Sequence, residues 1–553
     1  MDKTMKTQFT ASRRQFMLGA GGLLGTSALA NFISAYPVLA QEGGTLVVAA
    51  TSTPESLDSE FNGSQGTLDA IGTLYDGLIA YKKVPDPDHP DVMREDLADY
   101  PDLPGGINVE GKLAESFTAD KEGKWAEFKL RQGVKSAWGN ELTADDVKWT
   151  WDRKFALGAN GGFFTNLLGM SGPDNVKVVD ANTIRFELPA ASPLLLKMQV
   201  IFYQNIYDSK KCKEMATDAD PWARDFISNN AAGFGPYTIE ALNRGQQVVY
   251  KAREDYYLGK PAIDRIIYRE VPTSATRVTL LQNGAVDIAQ NLQPLEIAQL
   301  RSAQGVTVET VKASPMFYVM LNAKFEPFDK VPVRQAMNHA FPRKQVLESI
   351  FQNNASPMVG CMPDFYPGFD GSAQQYDFDI EKAKALLAEA GLPDGFSTTL
   401  AYNAGDPLQE PMAILFQSSL RQIGVNVTLK KIPAGTYYAD VSGRTQPMIF
   451  HLDNPWMADP GYSMSLSFQS ETYSNFSNYR NEEVDKLLAE AGATADNAKR
   501  FELTRQVQQI VMKEAPWIFV AYPNFTMARR ANVKGFSYYT SNNLRFQDFS
   551  KTA

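Results

Sequence analysis

Strict alternation of apolar and polar residues predicts a half-buried strand over residues 124–130. Ala126, Phe128 and Leu130 would face one side, and the charged residues between them would face water. A largely apolar run at Gly44–Ala50 instead predicts a buried strand. Both patterns are typical of sheets in a mixed α/β protein.

The residues after this strand predict a helix with a defined start. Thr143 and, three residues later, Asp146 have the spacing of a capping box. Val147, Trp151 and Phe155 then recur four residues apart, which places them on one apolar face. The stretch therefore predicts a strand followed by a helix that packs through this face.

Strand and helix patterns continue in the C-terminal half of the chain. A helix is predicted over Ile380–Ala390, with Asp379 as its N-cap. A strand at Thr398–Tyr402, a helix over Leu408–Ile423 and a strand at Val425–Lys430 form a βαβ unit. With 553 residues, 44% of them hydrophobic and 21% charged, the chain predicts two or three soluble domains.

Several ordered motifs resemble one protein family. Residues 113–155 contain L-A-E-S-F, then G-K-W-x-x-F-K-L-R-x-G-V-K, then G-N-x-L-T-A-D-D-V-K-W-T. A-A-G-F-G-P-Y at residues 231–237 and D-K-V-P-V-R-Q-A from residue 329 continue the series. Together they resemble the solute-binding proteins of peptide/nickel-type ABC transporters (family 5, oligopeptide- and dipeptide-binding proteins), over about residues 44–549.

The resemblance implies an α/β fold of the type II periplasmic-binding-protein class, with two lobes joined by hinge strands and an extra subdomain. Lobe I would contain residues 41–79, 189–300 and 516–553. The extra subdomain (lobe II) would span residues 80–188, and lobe III residues 301–515. A solute would bind between the lobes of a monomer, which would then deliver it to an inner-membrane ABC permease.

The N-terminus has the features of an export signal. Arg13 and Arg14 lie in S-R-R-Q-F-M, which is similar to the twin-arginine motif, and an apolar stretch follows to residue 33. Cleavage is expected near Ala40, which predicts a periplasmic protein; a single membrane-anchoring helix is the alternative. The formal net charge of −9 becomes more negative after cleavage, which disfavours nucleic acid and anionic membranes as partners.

Two other features leave alternatives open. Cys212 and Cys361 are the only cysteines, and we expect two buried free thiols rather than a disulfide between lobes. The segment 83–110 holds five prolines and many acidic residues, so it predicts neither a long helix nor a central strand. It is interpreted as a solvated surface insertion, the alternative being a segment that reaches over the cleft.

Catalytic and cofactor motifs are absent from the sequence that follows residue 40. No nucleophile elbow, zinc-protease motif, P-loop or dinucleotide fingerprint occurs, so we predict no enzyme activity and no cofactor. His89, His339 and His451 are too scattered to predict a metal site, which leaves nickel and haem unsupported. An oligosaccharide or sugar-conjugate receptor and a secreted hydrolase remain as alternatives.

The resemblance places the candidate site around residues 448–468. Peptide binders of this family have a W-x-x-D motif whose aspartate faces the ligand's ammonium group, and Trp456 and Asp459 have that spacing. However, Pro460 follows Asp459, and alignment on the family's later Asp-Pro pair would make Asp459 a structural cap. His451, just before this turn, is a third candidate.

Three more candidates come from segments that the resemblance places at the cleft. Ser52 lies in the polar loop after the first strand, and Tyr402 and Asn403 end the strand of the βαβ unit. The string A-Y-N-A-G-D-P at residues 401–407 lacks the arginine that some dipeptide binders use for the ligand carboxylate. Longer peptides or another solute are therefore favoured over short dipeptides.

Overall fold

A computed structural model describes residues 44–61 and 64–552. The expected export signal and its cleavage site lie outside the described residues. The strands of the described part are β1 (Thr45–Ala50), β2 (Ile79–Tyr81), β3 (Lys83–Pro85), β4 (Met93–Glu95), β5 (Val109–Gly111), β6 (Ala114–Ala119), β7 (Trp125–Leu130), β8 (Val176–Asp180), β9 (Thr183–Glu187), β10 (Tyr237–Asn243), β11 (Gln247–Ala252), β12 (Arg265–Glu270), β13 (Ile288–Ala289), β14 (Val306–Val311), β15 (Met316–Leu321), β16 (Ala355–Pro357), β17 (Ser397–Asn403), β18 (Asn426–Ile432), β19 (Met448–Asp453), β20 (Trp517–Pro523), β21 (Phe525–Arg530), β22 (Val533–Lys534), β23 (Ser537–Tyr538) and β24 (Ser550–Lys551).

The α-helices lie mostly between these strands, as expected for an α/β protein. They are α1 (Gln65–Leu74), α2 (Ala144–Leu157), α3 (Ala159–Leu167), α4 (Leu195–Gln199), α5 (Ser209–Met215), α6 (Arg224–Asn229), α7 (Ser274–Gln282), α8 (Pro294–Leu300), α9 (Val331–His339), α10 (Arg343–Gln345), α11 (Ile380–Glu389), α12 (Gln409–Arg421), α13 (Ala434–Ser442), α14 (Pro460–Phe468), α15 (Glu482–Ala493) and α16 (Asn497–Glu514). Within the described residues, no helix is long and apolar enough to cross a membrane.

Two mixed sheets dominate the structure and correspond to two α/β lobes, called the first lobe and the second lobe below. The second lobe is the lobe of the second sheet and is distinct from the extra subdomain, the expected lobe II. The first has the order β10-β11-β12-β1-β13-β21-β14, with β1 parallel to both β12 and β13. The second has the order β16-β20-β15-β19-β17-β18, in which β17 and β18 form the parallel pair of the predicted βαβ unit. The apolar run of β1 is buried almost throughout, as its pattern predicts.

The chain crosses between the two sheets twice. β14 belongs to the first sheet and β15 to the second, so residues 312–315 form one crossing. β20 belongs to the second sheet and β21 to the first, so the other crossing is at Asn524. The expected lobe boundaries placed β14 in lobe III and β20 in lobe I. In the structure β14 is a strand of the first sheet and β20 is a strand of the second.

The extra subdomain contains β7 and α2, the strand and helix predicted over residues 124–130 and from Thr143 onward. Its sheet has the order β6-β7-β9-β8, and α2 packs against β8 and β9. On β7, Ala126, Phe128 and Leu130 are fully buried, which confirms the alternating pattern. The capping box of Thr143 and Asp146 is present at the start of α2. At α11, Asp379 accepts a hydrogen bond from the Lys382 amide, as an N-cap does.

The segment 83–110 is more structured than the expected solvated loop. β4 is the middle strand of a small sheet with the order β23-β4-β3, and Arg94 makes a buried ion pair with Asp86 at 2.9 Å. The Arg94 guanidinium also lies over the Phe365 ring at 4.6 Å, which joins the segment to the second lobe. Pro85 is the last residue of β3, which is an edge strand, and a proline is tolerated there because an edge strand does not need every amide donor.

Both cysteine thiols are free and buried, which confirms the expectation for Cys212 and Cys361. Burial raises the pKa of the Cys361 thiol to about 12 and that of Cys212 still further. Both groups therefore stay protonated at neutral pH and behave as small apolar side chains.

Candidate functional site

Trp456 lies in the turn between β19 and α14 and contacts four aromatic rings from the other side of the cleft. Its ring centroid is 5.2 Å from Tyr203, 5.9 Å from Phe164, 6.1 Å from Phe202 and 6.4 Å from Phe163. These pairs are tilted or edge-on, the geometry that aromatic quadrupoles favour. Because Trp456 belongs to the second lobe and its four partners do not, the cluster joins the two sides.

Buried ion pairs fix the loop after β1 to the extra subdomain. Asp58 receives two hydrogen bonds from Arg153 on α2, and the next residue of that helix, Lys154, pairs with Glu60 at 2.6 Å. All four side chains are almost completely buried. Lys154 Nζ also donates to the Tyr203 carbonyl at 3.0 Å. The loop, α2 and the backbone at Tyr203 are thereby held together on the side that faces Trp456.

Asp459 is fully buried, and protein donors surround its carboxylate. Lys197 Nζ lies 2.7 Å from Oδ2, Arg500 Nη2 lies 2.7 Å from both oxygens, and the Tyr462 amide donates to Oδ1 at 3.0 Å. The last contact makes Asp459 the N-cap of α14, whose first residue is Pro460. This geometry agrees with the structural alternative, and a ligand contact by Asp459 stays a prediction.

The charges in this cluster favour an ionised Asp459. Burial alone would raise the pKa of Asp459, but Arg500 and Lys197 hold it well below its usual range. Burial lowers the pKa of Lys197, and the nearby Asp459 carboxylate opposes that effect. Since Lys197 is on α4 and Asp459 and Arg500 are in the second lobe, the cluster is also an ionic contact between the two sides of the cleft.

The other predicted residues divide between two places. His451 lies on β19, where its ring packs on Tyr318 and Phe476, and burial lowers its pKa. Ser52 lies in the loop after β1, on the opposite lobe, and is partly exposed.

Tyr402 and Asn403 end β17, the neighbour of β19, and their contacts run toward α12. Tyr402 Oη donates to the Glu410 carboxylate at 2.8 Å. The backbone amide of Asn403 donates to Gln409 Oε1 at 2.8 Å. Ligand contacts by His451, Ser52, Tyr402 and Asn403 remain predictions.

One segment that the pattern did not single out lies directly against Trp456. Residues 199–205, named here the amide segment, begin at the last residue of α4 and read Q-V-I-F-Y-Q-N. They supply the Phe202 and Tyr203 rings together with the carboxamides of Gln199, Gln204 and Asn205. The sequence did offer one signal for this segment: glutamine and asparagine residues lie on both sides of the Phe202–Tyr203 pair.

Metal binding finds no support in the part of the chain that the structure describes. Within residues 44–61 and 64–552, no group of three or more His, Cys, Asp or Glu side chains is placed to hold an ion. His339 packs against Tyr376, and its Nδ1 lies 2.8 Å from the Asp377 carbonyl.

Comparison with known proteins agrees with this architecture. Residues 108–475 match the family model of the bacterial extracellular solute-binding proteins, family 5, so the chain belongs to that family. It is 29% identical over 497 residues to the probable D,D-dipeptide-binding periplasmic protein DdpA of Escherichia coli, covering 89% of this chain and 91% of that protein. The glutathione-binding protein GsiB of Salmonella typhimurium is 30% identical over 547 residues, covering 95% and 98%.

Solved structures show the same fold. The periplasmic binding protein DppA of Helicobacter pylori, in complex with the peptide STSA, superposes with a TM-score of 0.77 at 24% identity. The match covers 92% of this chain and 98% of that one. The fold class expected from the sequence is therefore confirmed.

Proposed function

We propose that this protein is the extracytoplasmic solute receptor of an ABC importer and that it binds a peptide or peptide-like solute between its two lobes. The observation that carries the proposal is the aromatic cluster of Trp456, in which one lobe contacts the other through side chains suited to enclosing a small ligand. The family membership and the peptide-binding names of relatives support the choice of solute class.

The two crossings define how such a receptor would work. Residues 312–315 and Asn524 connect otherwise separate sheets, so rotation about them would open and close the cleft. A solute drives closure only through contacts that are better in the closed than in the open state. Trp456, held against the opposite wall in this structure, is placed to make such contacts.

We also propose that the protein acts in the periplasm and that it does not convert its solute chemically. An export signal with Arg13 and Arg14 supports a periplasmic receptor that leaves the cytoplasm folded. The protein would act as a monomer and pass its solute unchanged to a membrane permease.

The test is a screen of purified mature protein against peptides, oligosaccharides and opine-like conjugates. A solute that binds only the folded state stabilises it by about 2.7 kcal/mol at a hundredfold excess over Kd. We expect large melting shifts with peptides and recovery of the peptide unchanged. Shifts with sugars alone would contradict the peptide assignment, and consumption of the ligand at catalytic rates would contradict the receptor function.

A matched pair of variants locates the binding surface. Trp456→Ala should weaken peptide binding at least tenfold, because it removes the ring that joins the lobes. Trp125→Ala, a partly buried tryptophan of the extra subdomain that packs on Arg185 at 4.1 Å, should leave binding unchanged. Equal affinity in both variants would remove Trp456 from the site.

A further inference from the structure

Three buried carboxamides in the amide segment have side-chain atoms without a hydrogen-bond partner among the described residues. Gln199 is 1% exposed, Gln204 3% and Asn205 5%. Both polar atoms of each glutamine and Nδ2 of Asn205 have no partner. A buried amide without a partner is unfavourable, and native proteins keep few of them. Three within seven residues therefore indicate a role other than stability.

The position of these amides connects them with the cleft. Two residues before Gln199, Lys197 reaches Asp459 in the opposite lobe. Directly before Gln204, Phe202 and Tyr203 contact Trp456. The unpartnered amides are thus close sequence neighbours of the residues that contact the Trp456–Asp459 turn.

Packing holds the amide segment in a fixed conformation. Lys154 donates to the Tyr203 carbonyl, and the Ile206 amide donates to the Asp76 carbonyl at 3.1 Å. A Cβ at Gly77 would lie 3.0 Å from the Gln204 carbonyl oxygen, so the glycine permits this close approach. These contacts fix the backbone of the amide segment, as a preorganised binding surface requires.

The charged groups nearby are already paired. The Asp459 carboxylate already accepts hydrogen bonds from Lys197, Arg500 and the Tyr462 backbone amide. The unpartnered groups in the amide segment are neutral: each glutamine offers a donor and an acceptor, and Asn205 offers a donor. That pair of functions is complementary to a peptide group.

We propose that Gln199, Gln204 and Asn205 are specificity-determining residues that hydrogen-bond neutral amide groups of the solute, so that recognition at Trp456 does not require a charged terminus. This inference rests on the proposed function and deepens it. The solute class it names is a peptide-like compound read through its backbone amides, with capped or conjugated ends accepted as well as free ones.

The experiment compares two matched pools of synthetic tripeptides, one with free termini and one N-acetylated and C-amidated. Native mass spectrometry and melting shifts would be recorded for the wild type, Gln199→Met and Gln204→Met. We expect both pools to bind the wild type within about threefold, and each variant to lose at least tenfold for both pools. The ligand-free variants should melt no lower than the wild type, because methionine removes an unpartnered buried amide while keeping its length.

The control is Gln508→Met in α16, a fully buried glutamine whose Nε2 donates to the Gly368 carbonyl and whose Oε1 accepts from the Asp370 amide. This variant should melt lower than the wild type and keep its peptide affinity. Opposite responses of the two kinds of glutamine would separate a ligand-binding role from a structural one.

The remaining outcomes each overturn the inference in a different way. If free peptides bind more than tenfold tighter than capped ones, or if both amide-segment variants bind like the wild type, the inference fails while the proposed function stands. If neither pool binds, the peptide assignment fails and the inference with it. If Gln199→Met and Gln204→Met melt lower, as Gln508→Met does, the amides are structural.

Discussion

Replacing Asp459 by asparagine should destabilise the ligand-free protein strongly. The substitution removes one charge and leaves Lys197 and Arg500, which are 3% and 1% exposed, without their shared carboxylate. Removing one partner of a buried pair leaves an uncompensated buried charge and costs about 3–5 kcal/mol. The free energy of unfolding, measured by urea denaturation without solute, should fall by that amount.

The matched control is Asp379→Asn. Asp379 also caps a helix, since its side chain accepts from the Lys382 amide, but it is exposed and makes no ion pair among the described residues. Asparagine caps helices about as well as aspartate, so this substitution should change the free energy of unfolding by less than about 0.5 kcal/mol. The difference between the two variants isolates the ion pair from the cap.

The result also decides between the two interpretations of the W-x-x-D motif. If Asp459 instead paired with a solute ammonium group, Asp459→Asn would weaken binding and leave the ligand-free protein nearly as stable as the wild type. A loss of stability below about 1 kcal/mol would therefore refute the structural interpretation. Lys197→Met should cost less than Asp459→Asn, because Arg500 would still neutralise the carboxylate.

Three further expectations follow from buried charges, thiols and the N-terminus. Because the pKa of Asp459 is depressed on folding, its contribution is fully present above the unfolded value of about 4 and is lost as pH falls below it. Acid titration of unfolding should show this loss in the wild type and not in Asp459→Asn. Cys212 and Cys361 should resist a thiol reagent until the protein unfolds, and a rapid reaction in the native state would contradict their burial. Changing Arg13 and Arg14 together to lysine should retain the precursor in the cytoplasm, and normal periplasmic levels would indicate the general secretory route.

Local pattern was enough to predict the elements whose burial follows from their own sequence. The alternation in β7 and the capping box of α2 require only neighbouring residues, and both were predicted correctly. Membership of a sheet is different, because β14 and β15 are separated by only four residues and pair in different sheets. Nothing in the local pattern states which partner a strand will find, so the sheet to which each of these strands belongs could not be predicted from it.

The candidate site was predictable only in part for the same reason. The spacing of Trp456 and Asp459 located the turn, but the environment of Asp459 depends on Lys197, which is 262 residues away in sequence. A carboxylate exposed to a ligand and one buried on two internal cations have the same sequence signature. The amide segment was missed because an unpartnered amide is a property of the packed structure.

The central claim is that this protein binds a peptide-like solute between its lobes and releases it unchanged. The most direct test is native mass spectrometry of mature protein purified without refolding, followed by identification of the released solute. We predict one bound peptide-like molecule per monomer, which dissociates intact on unfolding and rebinds to refolded protein but not to Trp456→Ala. A co-purified carbohydrate, or a bound compound that is converted on incubation, would contradict the account.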